Sequence, residues 1–217
     1  MPSTRQDVDR PSDAVAVANR YLRRERPLSA LVALIVVAIF VGTFLATSLV
    51  PALVIGAALV LLTRAPIIRS RGSVRLQTDA DVESVVDSFT GATPPVLAFQ
   101  WGIADRISTE DERVRYHISY LFGLRSVAVT VETETETAAN GTQHVELTVT
   151  ANERPWSTYA VRISRTADRT VIEYEYEADR RFGLRRIPQR LVAVRYRDEA
   201  LSAQGYAVVD RDEHFGV

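Results

Sequence analysis

Between Leu28 and Thr63 the chain carries no charged residue, and arginines bracket this apolar run: Arg20, Arg23, Arg24 and Arg26 before it, Arg64, Arg69 and Arg71 after it. A bilayer core about 30 Å thick is spanned by about 20 helical residues, so the run is too long for one span and suits two short ones. Thr47, Ser48 and Pro51 supply the polar, helix-breaking centre. The pattern therefore predicts a transmembrane helical hairpin over residues 27–64, with arms from Leu28 to about Ala46 and from about Leu49 to Leu62. Arginine on both flanks points to an even number of crossings with both termini in the cytoplasm, whereas a single tilted span would put the domain outside. Residues 1–11 are polar and aperiodic and read as disordered. Ser12 can cap a helix through residues 12–26 with Val15, Ala18 and Leu22 on one side; it either lies against the headgroups or extends the first arm.

After Gly72 the period changes to two. Ser73–Thr78 reads as a strand, and Asp79 as the cap of a helix from Ala80 to Phe89 that ends at Gly91. Six strand-like runs follow: Val96–Ile107, Arg113–Phe122, Arg125–Glu136, Gln143–Asn152, Trp156–Arg165 and Thr170–Ala178. Their short linkers imply an antiparallel meander, with Asn140-Gly141 as its clearest hairpin turn. From Leu184 to about Ala203 the period is helical again, with Leu184, Ile187, Leu191, Val194 and Leu201 in one stripe and arginines opposite. Gly205 ends this helix, and Tyr206–Asp210 can add a short strand. Residues 72–217 thus form one domain of class α+β. Phe-Gly-Leu-Arg occurs at Phe122–Arg125 and again at Phe182–Arg185, too short to make a repeat.

Composition narrows the chemistry. The absence of cysteine removes disulfides, thiolate nucleophiles and Cys-based metal sites. All 26 basic residues are arginine, and they divide unevenly: nine arginines against four acids through Arg71, seventeen against 23 beyond it. A basic segment at a lipid surface with an acidic domain beyond it fits attraction to anionic headgroups, and such a domain is a poor partner for nucleic acid. The Lys-free, acid-rich composition suits a salt-adapted organism.

The order strand, helix, six antiparallel strands and long closing helix resembles the helix-grip fold of the START-related, polyketide-cyclase and birch-pollen-allergen superfamily. That resemblance implies a curved sheet wrapped around the last helix, with a hydrophobic cavity between them. The superfamily has two short helices after the first strand, where only one is legible here. The stretch Pro-Pro-Val-Leu-Ala-Phe-Gln-Trp-Gly from Pro94 is similar to membrane proteins of extreme halophiles.

Strand alternation sends Leu97, Phe99, Trp101, Ile103, Val114, Tyr116, Ile118, Tyr120, Tyr159, Val161, Ile163, Ile172, Tyr174 and Tyr176 toward the closing helix. Five of the eight tyrosines share this face. Buried hydroxyls need partners, so they either line a cavity holding polar atoms of a ligand or reach water at the sheet ends. The candidate cavity residues are Phe99, Trp101, Tyr116, Tyr120, Tyr159, Tyr174, Tyr176, Leu191 and Val194. Glu132, Glu134 and Glu136 alternate along one strand, and Glu173, Glu175 and Glu177 along another; they read as solvated outer faces, since strands space carboxylates too widely for a cation. His117, His144 and His214 are isolated, and Asn140-Gly141-Thr142 reads as a turn before a glycosylation acceptor. No nucleotide or hydrolase fingerprint implies a cofactor or a catalytic residue. Three functions remain: a membrane-tethered module binding a lipid or apolar small molecule; an assembly protein meeting other membrane subunits through Gly42, Ala46, Gly56, Ala57 and Ala58; and an enzyme of the cyclase or dehydratase kind.

Overall fold

The computed structural model describes residues 8–66, 69–110, 113–120, 123–181, 183 and 187–216, excepting the side chains of residues 25–29, 187–191, 215 and 216. Helix α1 runs unbroken from Ser12 to Ala46 and α2 from Leu49 to Arg64, the two arms meeting at Thr47 and Ser48. The helix before the apolar run is thus an extension of the first arm. Apolar side chains of the hairpin face outward: Leu34, Leu45, Val50 and Leu61 are all more than 60 % exposed. Among the described residues, however, no helix is long and apolar enough to cross a membrane. The 16 residues of α2 rise about 24 Å against a core of about 30 Å, so the expectation of two full crossings is not supported.

Of the segment expected to be disordered, residues 1–7 lie outside the described ones, and Arg10 donates to the Ala104 carbonyl at 2.8 Å. The first half of α1 packs on the domain through Ala14, Val17 and Ala18, all buried, and half-buried Tyr21. This is the i, i+3, i+4, i+7 stripe of an amphipathic helix, one residue out of step with the expected Val15, Ala18 and Leu22.

The domain's elements follow in order: β1 (Arg69–Thr78), α3 (Val82–Thr90), a 3-10 turn (Pro95–Leu97), α4 (Ala98–Gly102), β2 (Arg106–Glu110), β3 (Arg113–Tyr120), β4 (Arg125–Thr137), β5 (Gln143–Ala151), β6 (Arg154–Thr166), β7 (Arg169–Ala178), α5 (Ile187–Ser202) and β8 (Ala207–Gly216). The eight strands form one antiparallel sheet in the order β2-β3-β4-β5-β6-β7-β1-β8. A meander from β2 to β7, two short helical elements and a closing helix over one face make an α+β arrangement of the helix-grip kind. Alternation decides the burial: Val145, Leu147 and Val149 on β5 and Val161 and Ile163 on β6 are at most 2 % exposed, each contributing about 1.5–3 kcal/mol by leaving water.

Three elements differ from their expected form. The strand expected over Val96–Ile107 is helical at first, because Pro95 suits the start of a helical turn and Leu97, Ala98, Trp101 and Gly102 carry a helical spacing alongside the two-residue one. The Leu97 amide and the Trp101 indole both donate to the Pro94 carbonyl, at 2.9 and 2.8 Å. This supplies the second short helix that the sequence left illegible. The cap of α3 is Asp81, two residues after the expected Asp79; its carboxylate accepts from the Ser84 amide at 2.9 Å and from the Ser84 hydroxyl at 2.7 Å. Finally, β8 is longer than expected and pairs along the free edge of β1 with a bulge between Arg75 and Leu76, so β1 has a neighbour on both sides.

Candidate functional site

The space between the sheet and α5 is nearly filled. A cavity of about 20 Å³ remains among Pro95, Val96, Ala98, Phe99, Tyr174, Arg197, Ala200 and Leu201, room for about one water. Its polar wall comes from Arg197 of α5 and Tyr174 of β7. Tyr159, Tyr174 and Tyr176 form a triangle with ring centroids 6.2–6.5 Å apart, and the Arg197 guanidinium lies 6.0 Å from the Tyr176 centroid, within cation–π range. Gly72, opposite Tyr176 in the β1–β7 register, makes room for it: a Cβ built on Gly72 would lie 2.9 Å from the Tyr176 hydroxyl and 2.7 Å from the Asp212 carbonyl oxygen.

Two arginines with different surroundings stand over this triangle. Arg211 on β8 is paired with Asp198 of α5 and donates to Glu213 at 2.7 Å, so its charge is compensated. Burial alone would lower its pKa, but the neighbouring Tyr174, Glu213 and Asp198 raise it. Arg197 is half-buried and, among the described residues, has no carboxylate within ion-pair distance. Burial works against its charge as well; Tyr159, Tyr176 and Tyr174, followed by Glu213, hold its pKa above the usual value. Of the three, Tyr174 is held neutral at pH 7 by its burial. Burial pushes the Tyr174 hydroxyl well above the ordinary phenol range, only partly countered by Arg211 and Arg197. At neutral pH the cavity wall therefore carries the Arg197 charge beside the neutral Tyr174 hydroxyl.

The expected cavity residues divide. Phe99, Tyr159, Tyr174 and Tyr176 come together at or beside the cavity. Trp101 and Tyr116 are core residues with backbone partners: the Tyr116 hydroxyl donates to the Ala92 carbonyl at 3.1 Å, and burial pushes its pKa up. Tyr120 ends β3 at 45 % exposure and lines nothing. Val194 faces an open groove between α1 and α5, shared with Asp13, Val17, Arg20 and Glu199. The Leu191 side chain lies outside the described residues.

Sequence reasoning missed Arg197, Arg211 and Glu213. It placed the α5 arginines opposite the apolar stripe, whereas the inward stripe is Ala193, Tyr196, Arg197, Ala200 and Leu201. The small alanines at 193 and 200 were the legible signal, since they let a long side chain tuck between them. Phe99 is held from outside by Tyr21 of α1, stacked on it at 4.7 Å with ring planes 10° apart, and Arg24 lies over the Tyr196 ring at 5.9 Å. The first half of α1 thus covers the seam between α4 and α5.

On the outer face the alternating glutamates form cross-strand pairs: Glu132 with Arg113 at 3.0 Å, Glu177 with Arg69 at 3.8 Å, and Glu173 with Arg75. Among the described residues no group of three or more His, Asp or Glu side chains converges as a metal site.

An antiparallel sheet closed by a C-terminal helix defines an α+β helix-grip protein. No known family profile matches the sequence, and no curated protein does. Solved structures similar to the chain include a conserved protein from Geobacillus kaustophilus (14 % identity, 67 % of this chain and 99 % of that one, TM-score 0.43). They also include a START superfamily protein from Mycobacterium smegmatis (12 %, 63 % and 97 %, 0.37) and the Zhui aromatase/cyclase from Streptomyces sp. R1128 (15 %, 62 % and 90 %, 0.39). Likenesses this distant carry nothing about what this chain binds, and they give no support to the halophile resemblance of the Pro94 stretch.

Proposed function

We propose that the chain is a membrane-anchored binding module for an apolar molecule with an anionic or strongly polar head, held between the sheet and α5. The observation that carries this reading is the half-buried Arg197 guanidinium, which with Tyr174 of the neighbouring tyrosine triangle forms the polar wall, among the described residues, of an otherwise apolar space. A core serving stability alone is better filled with apolar groups, because burying a charge costs more than a cation–π contact returns. The head would meet Arg197 and the tyrosine hydroxyls, and the tail would lie along Phe99, Val96 and Leu201. A volume of about 20 Å³ is the closed state, so entry requires α4 or α5 to move away from the sheet. Native mass spectrometry of the chain purified from gently solubilised membranes is expected to show a small molecule that denaturing extraction releases. A chain that emerges bare and retains no added amphiphile overturns the reading.

The hairpin is the anchor. Its outward apolar side chains favour lipid over water, and arms rising about 28 Å (residues 28–46) and about 24 Å (α2) reach deep into a core of about 30 Å, the flanking arginines extending to the headgroups. Because α1 and α2 fold back on each other, domain and N-terminus remain on one side of the membrane, the cytoplasmic one by the arginine rule.

A second reading, assembly with other membrane subunits, is favoured by one observation. An apolar groove between the arms, lined by Val36, Val37, Phe40, Leu53, Gly56 and Ala57, is open to the outside. Part of the small-residue surface is already used within the hairpin, since Gly56 takes the Phe40 ring at 3.0 Å from where a Cβ would be.

A further inference from the structure

The strand registers determine which turns share the end of the sheet from which the hairpin projects. Arg71 opposes Glu177, Ser157 opposes Ala178, Ala151 opposes Arg154, Val129 opposes Ala151, and Tyr120 opposes Arg125. The start of β1, the end of β7, the β5–β6 turn and the β3–β4 turn therefore lie at one end. Helix α1 leaves the domain there too: it runs antiparallel to α5, with Arg20 meeting Glu199 and Arg24 meeting Tyr196, toward the end where α5 begins. Helix α2 returns to the same place, since a Cβ on Gly183, in the loop before α5, would lie 2.5 Å from the Thr63 carbonyl oxygen.

This end is basic, and it has an exposed apolar tip. Arg64, Arg69, Arg125, Arg154, Arg180 and Arg181 are exposed there, against Glu153, Glu177 and Asp179. The opposite end is mixed, with Asp79, Glu110, Glu136 and Asp168 at its turns beside the exposed Arg113, Arg165 and Arg169. Strand β4 continues four residues past its pairing with Ala151, about 13 Å at 3.3 Å per residue, and ends in a turn where Gly123 has φ +83°. In that turn Leu124 is 84 % exposed, the highest value of any large apolar side chain described, with Tyr120 at 45 % beside it and Arg125 next in the chain.

We infer that the β3–β4 turn is a second membrane contact, with Leu124 seated at the acyl–headgroup boundary of an anionic leaflet and Arg125 among its phosphates. The inference rests on the hairpin being the anchor. Two contacts on opposite sides of the sheet end would hold the domain upright over the bilayer, which a single tether does not do. An apolar side chain next to arginine is the combination that interfacial insertion uses, and an anionic leaflet attracts the basic near end.

The absence of native cysteine makes the test direct. Full-length variants S126C, L45C and T142C, each carrying one polarity-sensitive fluorophore, are reconstituted into phosphatidylcholine vesicles with and without phosphatidylglycerol, and quenching by bromine-labelled lipid is read. The hairpin probe at L45C is expected to be quenched in both vesicles and T142C in neither. The S126C probe is expected to be quenched when phosphatidylglycerol is present, and to lose that quenching in an added L124D change. Quenching of L45C with S126C behaving like T142C overturns the second contact and leaves the anchor standing. Failure to quench L45C overturns both.

Discussion

At the scale of single residues the most informative position is Arg197. An arginine retained for stability would be expected to have a buried carboxylate partner, as Arg211 has in Glu213. Replacing Arg197 by Met is therefore expected to leave the fold intact and to raise the unfolding free energy by about 1 kcal/mol, read as a higher urea midpoint, while retention of an anionic amphiphile falls. A lower midpoint would make Arg197 a structural residue. The same residue shows where sequence reading stops. The alternation of Tyr159, Tyr174 and Tyr176 was legible because a strand has only two faces. The inward turn of Arg197 was missed, because ranking a helix by hydrophobicity sends arginine outward and passes over the small, buried Ala193 and Ala200 on the same stripe.

Among the elements, α3 and α4 show how local chemistry sets boundaries. The Ser84 amide and then the Ser84 hydroxyl hold the Asp81 carboxyl below the ordinary carboxylate value. A depressed pKa stabilises the fold at pH values above the unfolded carboxylate range, and that contribution is lost as pH falls through the lower folded value. Asp81→Ala is expected to lower the urea midpoint at neutral pH and to converge toward the parent chain in acid; an unchanged midpoint at neutral pH would count against Asp81 as the cap. In α4, Leu97, Phe99, Trp101 and Ile103 alternate as a strand would, and Leu97, Ala98, Trp101 and Gly102 repeat as a helix would. The Pro94 carbonyl, taking the Leu97 amide and the Trp101 indole, decides between them, and no periodicity count includes that acceptor. Strand β8 was underestimated for a related reason: Asp210, Asp212 and His214 look like a polar tail until β1 is found with a free edge to pair.

For the whole molecule, the domain and both hairpin ends lie on one side of any bilayer the hairpin enters. A cysteine at Thr142, at the far end of the sheet, is expected to react with an impermeant maleimide only after cells are lysed; labelling of intact cells would place the domain outside and overturn the proposed orientation. A cysteine at Ser48 separates a hairpin that crosses, and is labelled from outside, from one that turns back within the membrane. The turn at Thr47 and Ser48, the antiparallel meander and the closing helix were legible from period and composition, while the helical pair over residues 95–102 was not. The depth of insertion was not, because it depends on a few ångströms of helix length.

One feature of α1 ties these scales together. The helix is continuous from Ser12 to Ala46, yet it contains Pro27, one turn beyond Arg24 of its docked half. A proline there cannot supply the amide that would serve the Arg23 carbonyl, so the rod is weakest between the part gripping α4 and α5 and the part clothed in apolar side chains. Bending at that joint would pull Tyr21 off Phe99 before it disturbed the sheet. If the hairpin anchors the chain as proposed, a change in bilayer thickness or curvature would reach the seam over the cavity as a torque through this joint.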